Sequence, residues 1–71
     1  MNIESTVSGI VLQVLVAPGD PISIDQEVAI IESMKMEIPV AAEIAGTVDE
    51  VLVIEGDAIE EGGVLVSLKI T

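Results

Sequence analysis

Shifted along itself by 37 residues, the sequence superposes Gly9 on Gly46, Val11 on Val48 and Val14-Leu15-Val16 on Val51-Leu52-Val53. The same shift places Gly19-Asp20 on Gly56-Asp57 and Ile22 on Ile59. These matches fall in ordered blocks, the signature of an internal repeat. Two head-to-tail copies fill a chain of 71 residues, so the whole of residues 1–71 is expected to form one small domain with a pseudo-twofold axis.

Each copy reads as a string of short strands. Val64, Val66, Leu68 and Ile70 alternate with Leu65, Ser67 and Lys69, a period of two that suits a strand with one buried face. Ile10 to Val16 and Val48 to Ile54 are apolar runs of strand length. No stretch holds a helical period for three turns. Pro18-Gly19-Asp20-Pro21, Glu55-Gly56-Asp57 and Gly62-Gly63 punctuate the runs as turns, where glycine admits positive φ and aspartate bonds its own loop. The expected architecture is all-β, with two small antiparallel sheets packed face to face. The copies join at Met34-Lys35-Met36, which is expected to be a hairpin tip. Pro39 has no N–H to give to a central ladder, so the strand after the tip should be an edge or bulged there.

Composition removes most functions. Valine, isoleucine and threonine supply 25 residues, while Phe, Tyr, Trp, Cys and His are absent. The chain therefore lacks disulfides, thiolates, imidazole bases and the commonest metal ligands, and catalysis by the domain alone is not expected. Thirteen acids against two lysines give a net charge of −11, a field that repels nucleic acid and anionic lipid. Without aromatics there is nothing for exposed bases to stack on. Glu60 and Glu61 lack the spacing of a calcium loop and read as a solvated face. Met1-Asn2-Ile3-Glu4-Ser5 has neither a basic segment nor a long apolar run, so no membrane contact and a cytoplasmic address are expected.

Lys35 and Lys69 are the two side-chain amines of the chain. Glu32-Ser33-Met34-Lys35-Met36-Glu37 strongly resembles the attachment sequence of biotinyl domains, the biotin carboxyl carrier family. The duplicated valine, Gly-Asp and isoleucine pattern resembles the same family from about Thr6 to Ile70. The resemblance implies a flattened β-barrel, a barrel-sandwich hybrid of two four-stranded antiparallel sheets, with the modified lysine exposed at a tight hairpin. It also implies that Lys35 carries covalent biotin and that Met34 and Met36, with Glu32, Ser33 and Glu37, are read by a biotin protein ligase. Ser33 stands where the family usually has alanine. No thumb-like insertion lies between Val16 and Ile22, which is similar to the biotinyl domains of pyruvate- or propionyl-CoA-type carboxylases and to short free-standing attachment proteins.

An ordinary lysine amine is less than about one part in a thousand neutral at pH 7, so a separate ligase has to deprotonate Lys35 and deliver activated biotin. The resemblance implies that biotin then moves carboxyl groups between a biotin carboxylase and a carboxyltransferase, the protein supplying tethering and recognition. With neither catalytic residues nor a linker to a second domain, the chain is expected to serve these enzymes in trans. Acylation is expected to free the arm from Glu32 and Glu37. A lipoyl carrier shares the implied fold but typically has Asp-Lys-Ala at the tip. Lys69, matching Glu32 in the repeat, is expected on the surface of a strand.

Overall fold

A computed structural model describes residues 1–69 of the chain. They form eight strands: β1 (Asn2–Glu4), β2 (Gly9–Val14), β3 (Pro21–Ile22), β4 (Glu27–Ser33), β5 (Met36–Ala41), β6 (Gly46–Val51), β7 (Ala58–Ile59) and β8 (Val64–Lys69). Two four-stranded antiparallel sheets, ordered β1-β8-β6-β3 and β5-β4-β2-β7, enclose one core in a flattened barrel. Each sheet draws two strands from each copy of the repeat, so the copies interleave rather than sit side by side. Val11, Val28, Ile31, Val40, Val48, Leu65 and Val66 are sealed from solvent. Every one is aliphatic, as a core without aromatics requires.

The repeat extends to details that periodicity does not carry. Strands β6 and β7 are β2 and β3 displaced by the repeat length. In β2 the register jumps from Val11↔Ile31 to Gln13↔Ile30, leaving Leu12 as an extra residue. In β6 it jumps from Val48↔Leu68 to Glu50↔Ser67, leaving Asp49, the repeat mate of Leu12. A second pair of bulges places Val28 in β4 and Leu65 in β8. The bulges shift which side chains face inward. That is why Leu65 is buried beside Val66 instead of alternating outward as its sequence pattern suggests. Ile70, the last member of that pattern, lies outside the described residues.

Turns are duplicated too. Gly19 and Gly56 have φ of 92° and 95°, a region in which a side chain is strained. The Asp20 carboxylate accepts from Ala17 N–H at 2.9 Å, and Asp57 accepts from Ile54 N–H at 3.0 Å. The next pair of turns places Asp25 at φ 70° where the second copy has Gly62 at 84°. Strands β2 and β6 stop at Val14 and Val51, short of the apolar runs that contain them. Leu15 and Leu52 still donate to Val28 and Leu65 at 2.9 Å each before the chain leaves for its turn. Ser5, buried where the second copy has Ala42, satisfies its hydroxyl by donating to the Val7 carbonyl.

Candidate functional site

Strands β4 and β5 form the hairpin that joins the copies. Ile31 pairs with Ile38, Glu32 with Glu37 and Ser33 with Met36, leaving Met34 and Lys35 as a two-residue connection. Their φ values are 52° and 65°. Two central residues at positive φ characterise the type I′ turn, whose twist matches the strands it joins and which prefers Asn-Gly. Here it is built without glycine, at a cost of about 1–2 kcal/mol per left-handed residue. The rest of the hairpin supports it: Val28 and Ile31 are wholly buried, and a buried Ile side chain contributes about 1.5–3 kcal/mol.

β5 is an outer strand of its sheet, which accommodates Pro39 opposite Ile30. In a two-residue hairpin the closing pair Ser33 and Met36 exchange backbone hydrogen bonds, and the alternation then turns the Glu37 and Pro39 backbone outward. Proline deletes one of those outward donors, which blunts the free edge beside the tip. Across the inner edge of the hairpin, Gly9 of β2 passes so close to Glu32 that a Cβ there would meet the Glu32 carbonyl. The site is therefore anchored on both strands while its tip stands clear.

Met34 is 93% exposed and Met36 64%. Lys35 is exposed between them. Among the described residues the ion pair found joins Lys69 Nζ to Asp49 Oδ1 at 3.5 Å, and none involves Lys35. Glu32 and Glu37 sit directly opposite each other, an arrangement of like charges that destabilises a sheet slightly and surrounds the tip with negative potential. Neither carboxylate lies within 4.0 Å of the Lys35 amine. The amine makes no ion pair with either carboxylate, so the attraction expected from the sequence acts across more than 4.0 Å. Lys69 is on the surface of β8, where its strand partner is Thr47.

Two surface depressions contain none of residues 32–37. One lies between β1 and the end of β5; the other is lined by repeat mates, Val14 with Val51 and Val16 with Val53. The lysine tip is convex. It has an exposed amine and exposed apolar flanks and borders neither depression, which suits covalent attachment of a group that must be presented elsewhere. The residues present fit a biotinyl arm on Lys35 Nζ: the amine is exposed, unpaired by any described carboxylate and held at the turn of a paired hairpin.

Known proteins share this sequence pattern and fold. The chain is 48% identical over 69 residues to the biotin/lipoyl attachment protein of Bacillus subtilis (strain 168), covering 97% of this chain and 94% of that one. It superposes on Kluyveromyces lactis urea carboxylase with a TM-score of 0.90 and 30% identity, covering 97% of this chain and only 6% of that enzyme. The lipoyl domain of the 2-oxoglutarate dehydrogenase complex from Azotobacter vinelandii matches with a TM-score of 0.74 and 27% identity, covering 94% of this chain and 95% of that domain. The family model described as "Biotin-requiring enzyme" matches residues 1–68, and the chain belongs to this biotin/lipoyl attachment family.

Proposed function

We propose that residues 1–71 are a biotinyl domain that acts as a biotin carboxyl carrier, with biotin in amide linkage to Lys35. The observation that carries this reading is the Met34-Lys35 turn, which lifts one amine of the chain onto a convex, unpaired tip between two exposed methionines. Lys69, in contrast, lies along a strand with Asp49 as a partner. The likeness to a carboxylase, at a TM-score of 0.90 against 0.74 for the lipoyl domain, favours biotin over lipoate. So does methionine on both sides of the lysine.

Lys35 enters attachment as an ammonium and must lose a proton to the ligase. Its Nζ then forms the amide bond with the acyl carbon of activated biotin, giving up a second proton as the activating group departs with its bonding pair. The product nitrogen is neutral. Met34, Met36, Ser33, Glu32 and Glu37 form the surface that the ligase reads, and their backbone hairpin fixes the direction in which the arm leaves. When bound, biotin supplies the ureido nitrogen that carries a carboxyl group. The domain contributes tethering and recognition, raising the effective concentration of that nitrogen at a biotin carboxylase and at a carboxyltransferase. It is not a catalyst alone, and its place is the cytoplasm. Among the described residues no helix is long and apolar enough to cross a membrane.

Co-expression with a biotin protein ligase, followed by intact-mass measurement, tests the assignment. Lys35→Arg keeps the charge but presents a guanidinium that is almost never neutral, so it should fold and gain no biotinyl mass. Lys69→Arg should be labelled like the unsubstituted chain. Biotin on Lys35→Arg, or its loss from Lys69→Arg, would overturn the site, and lipoylation without biotinylation would overturn the carboxyl-carrier function. Biotinylated chain mixed with biotin carboxylase, ATP and labelled bicarbonate should acquire label.

A further inference from the structure

The methionines of this protein are distributed against ordinary use. Methionine is a filler of irregular cores, yet Met1, Met34 and Met36 are 66%, 93% and 64% exposed, and the core consists of Val, Ile, Leu and Ala. Two of the three flank Lys35. The sequence also contains no Cys, Trp, Tyr or His, so the thioethers are the readily oxidised side chains of the chain. An oxidant reaching this protein has three principal targets, and two of them border the attachment amine.

We propose that Met34 and Met36 are a peroxide-sensitive modification site that gates attachment at Lys35. The inference rests on the reading of Lys35 as the attachment residue. A methionine sulfur attacks one oxygen of hydrogen peroxide. The S–O bond forms, the O–O bond breaks, sulfur loses two electrons, and the second oxygen leaves as water after taking up a proton. The product is a sulfoxide, polar and chiral where the thioether was apolar and flexible.

The structure separates this change from damage to the fold. Both side chains are mostly exposed, and the turn is set by backbone and by the buried residues of β4, so oxidation leaves the barrel standing. Lys35 itself is unchanged. What changes is the apolar surface on both sides of the amine, which a ligase must cover to reach it. Reduction by methionine sulfoxide reductases restores the thioethers, so the gate is reversible.

Met1 provides an internal control, being as exposed as Met36 but paired through its backbone with Leu68 rather than placed at the tip. The protein is oxidised partially with hydrogen peroxide, incubated with purified biotin protein ligase, biotin and ATP, and separated on avidin. Peptide mass spectrometry then locates sulfoxide in each fraction. Sulfoxide at Met34 or Met36 should be concentrated in the unlabelled fraction, with labelling slowed about tenfold or more by loss of apolar contact. Sulfoxide at Met1 should divide equally. The urea midpoint and acetylation of Lys35 by an N-hydroxysuccinimide ester should be unchanged, and treatment with both epimer-specific reductases should restore labelling. Equal division of tip sulfoxide between the fractions, or loss of labelling in step with unfolding, would overturn the gate. Failure of the unoxidised protein to take biotin would overturn the attachment reading itself.

Discussion

Glycine substituted for either neighbour of Lys35 should have opposite effects on stability. Met34 adopts φ 52° and is 93% exposed, so Met34→Gly removes almost no burial while relieving a left-handed residue. The relief is about 1–2 kcal/mol, and the added freedom of the unfolded chain takes back about 0.5–1 kcal/mol. A net stabilisation of about 0.5–1 kcal/mol remains, which raises the melting temperature of so small a domain by about 2–8 °C. Met36 is the first residue of β5 and is not among the positive-φ residues. Met36→Gly relieves nothing, loses a partly covered side chain and should destabilise by about 1 kcal/mol. Urea and thermal unfolding of the two variants in parallel give the sign directly. If Met34→Gly is destabilised as much as Met36→Gly, the turn is not strained as its φ values imply. Biotinylation of Met34→Gly at the unsubstituted rate would show that the ligase does not read Met34.

Two further outcomes test the repeat and the support of the site. Asp20→Ala and Asp57→Ala each remove one turn hydrogen bond and should each lower stability by about 0.5–1.5 kcal/mol; the losses should add in the double variant because the two hydrogen bonds share no residue, and strong non-additivity in urea titrations would contradict that independence. Gly9→Ala should cost about 1–3 kcal/mol through overpacking against the Glu32 backbone and should speed amide exchange in β4. Gly46→Ala, whose Cβ would lie 2.9 Å from the Lys69 carbonyl, should be milder, and equal effects would mean that β2 moves away from β4 freely.

The sequence made the tip and the two-copy plan legible for physical reasons. A turn between two strand-forming runs needs little tertiary information, and Gly19-Asp20 and Gly56-Asp57 announce positive φ and a capping carboxylate in chemistry that the residues themselves carry. Pro39 likewise limited its strand to an edge or a bulge, and β5 is an outer strand. The bulges at Leu12, Val28, Asp49 and Leu65 were not legible, because a bulge depends on the register of a partner far along the chain and leaves the local alternation apparently intact. Leu65 shows the consequence: its neighbours suggest an outward position and its partner strand turns it inward. The turn at Asp25 was missed since it lacks glycine, although its alignment with Gly62 across the repeat was there to be used. That Lys35 forms no ion pair with Glu32 or Glu37 was not legible either, because residue spacing does not place side-chain atoms.

The pairing of β1 with β8, and the sharing of both sheets between the copies, set the order in which this chain can be made. Asn2 finds its strand partner in Ser67, so within this barrel β1 waits during synthesis for β8. Neither copy can close a sheet on its own, and non-local pairings of this kind fold more slowly than helical bundles of the same length. During synthesis the aliphatic runs of the first copy stand exposed with no partner. The acids that flank them, Glu4, Asp20, Asp25 and Glu27, keep nascent chains apart by mutual repulsion, giving the negative charge a task that is complete before the barrel closes.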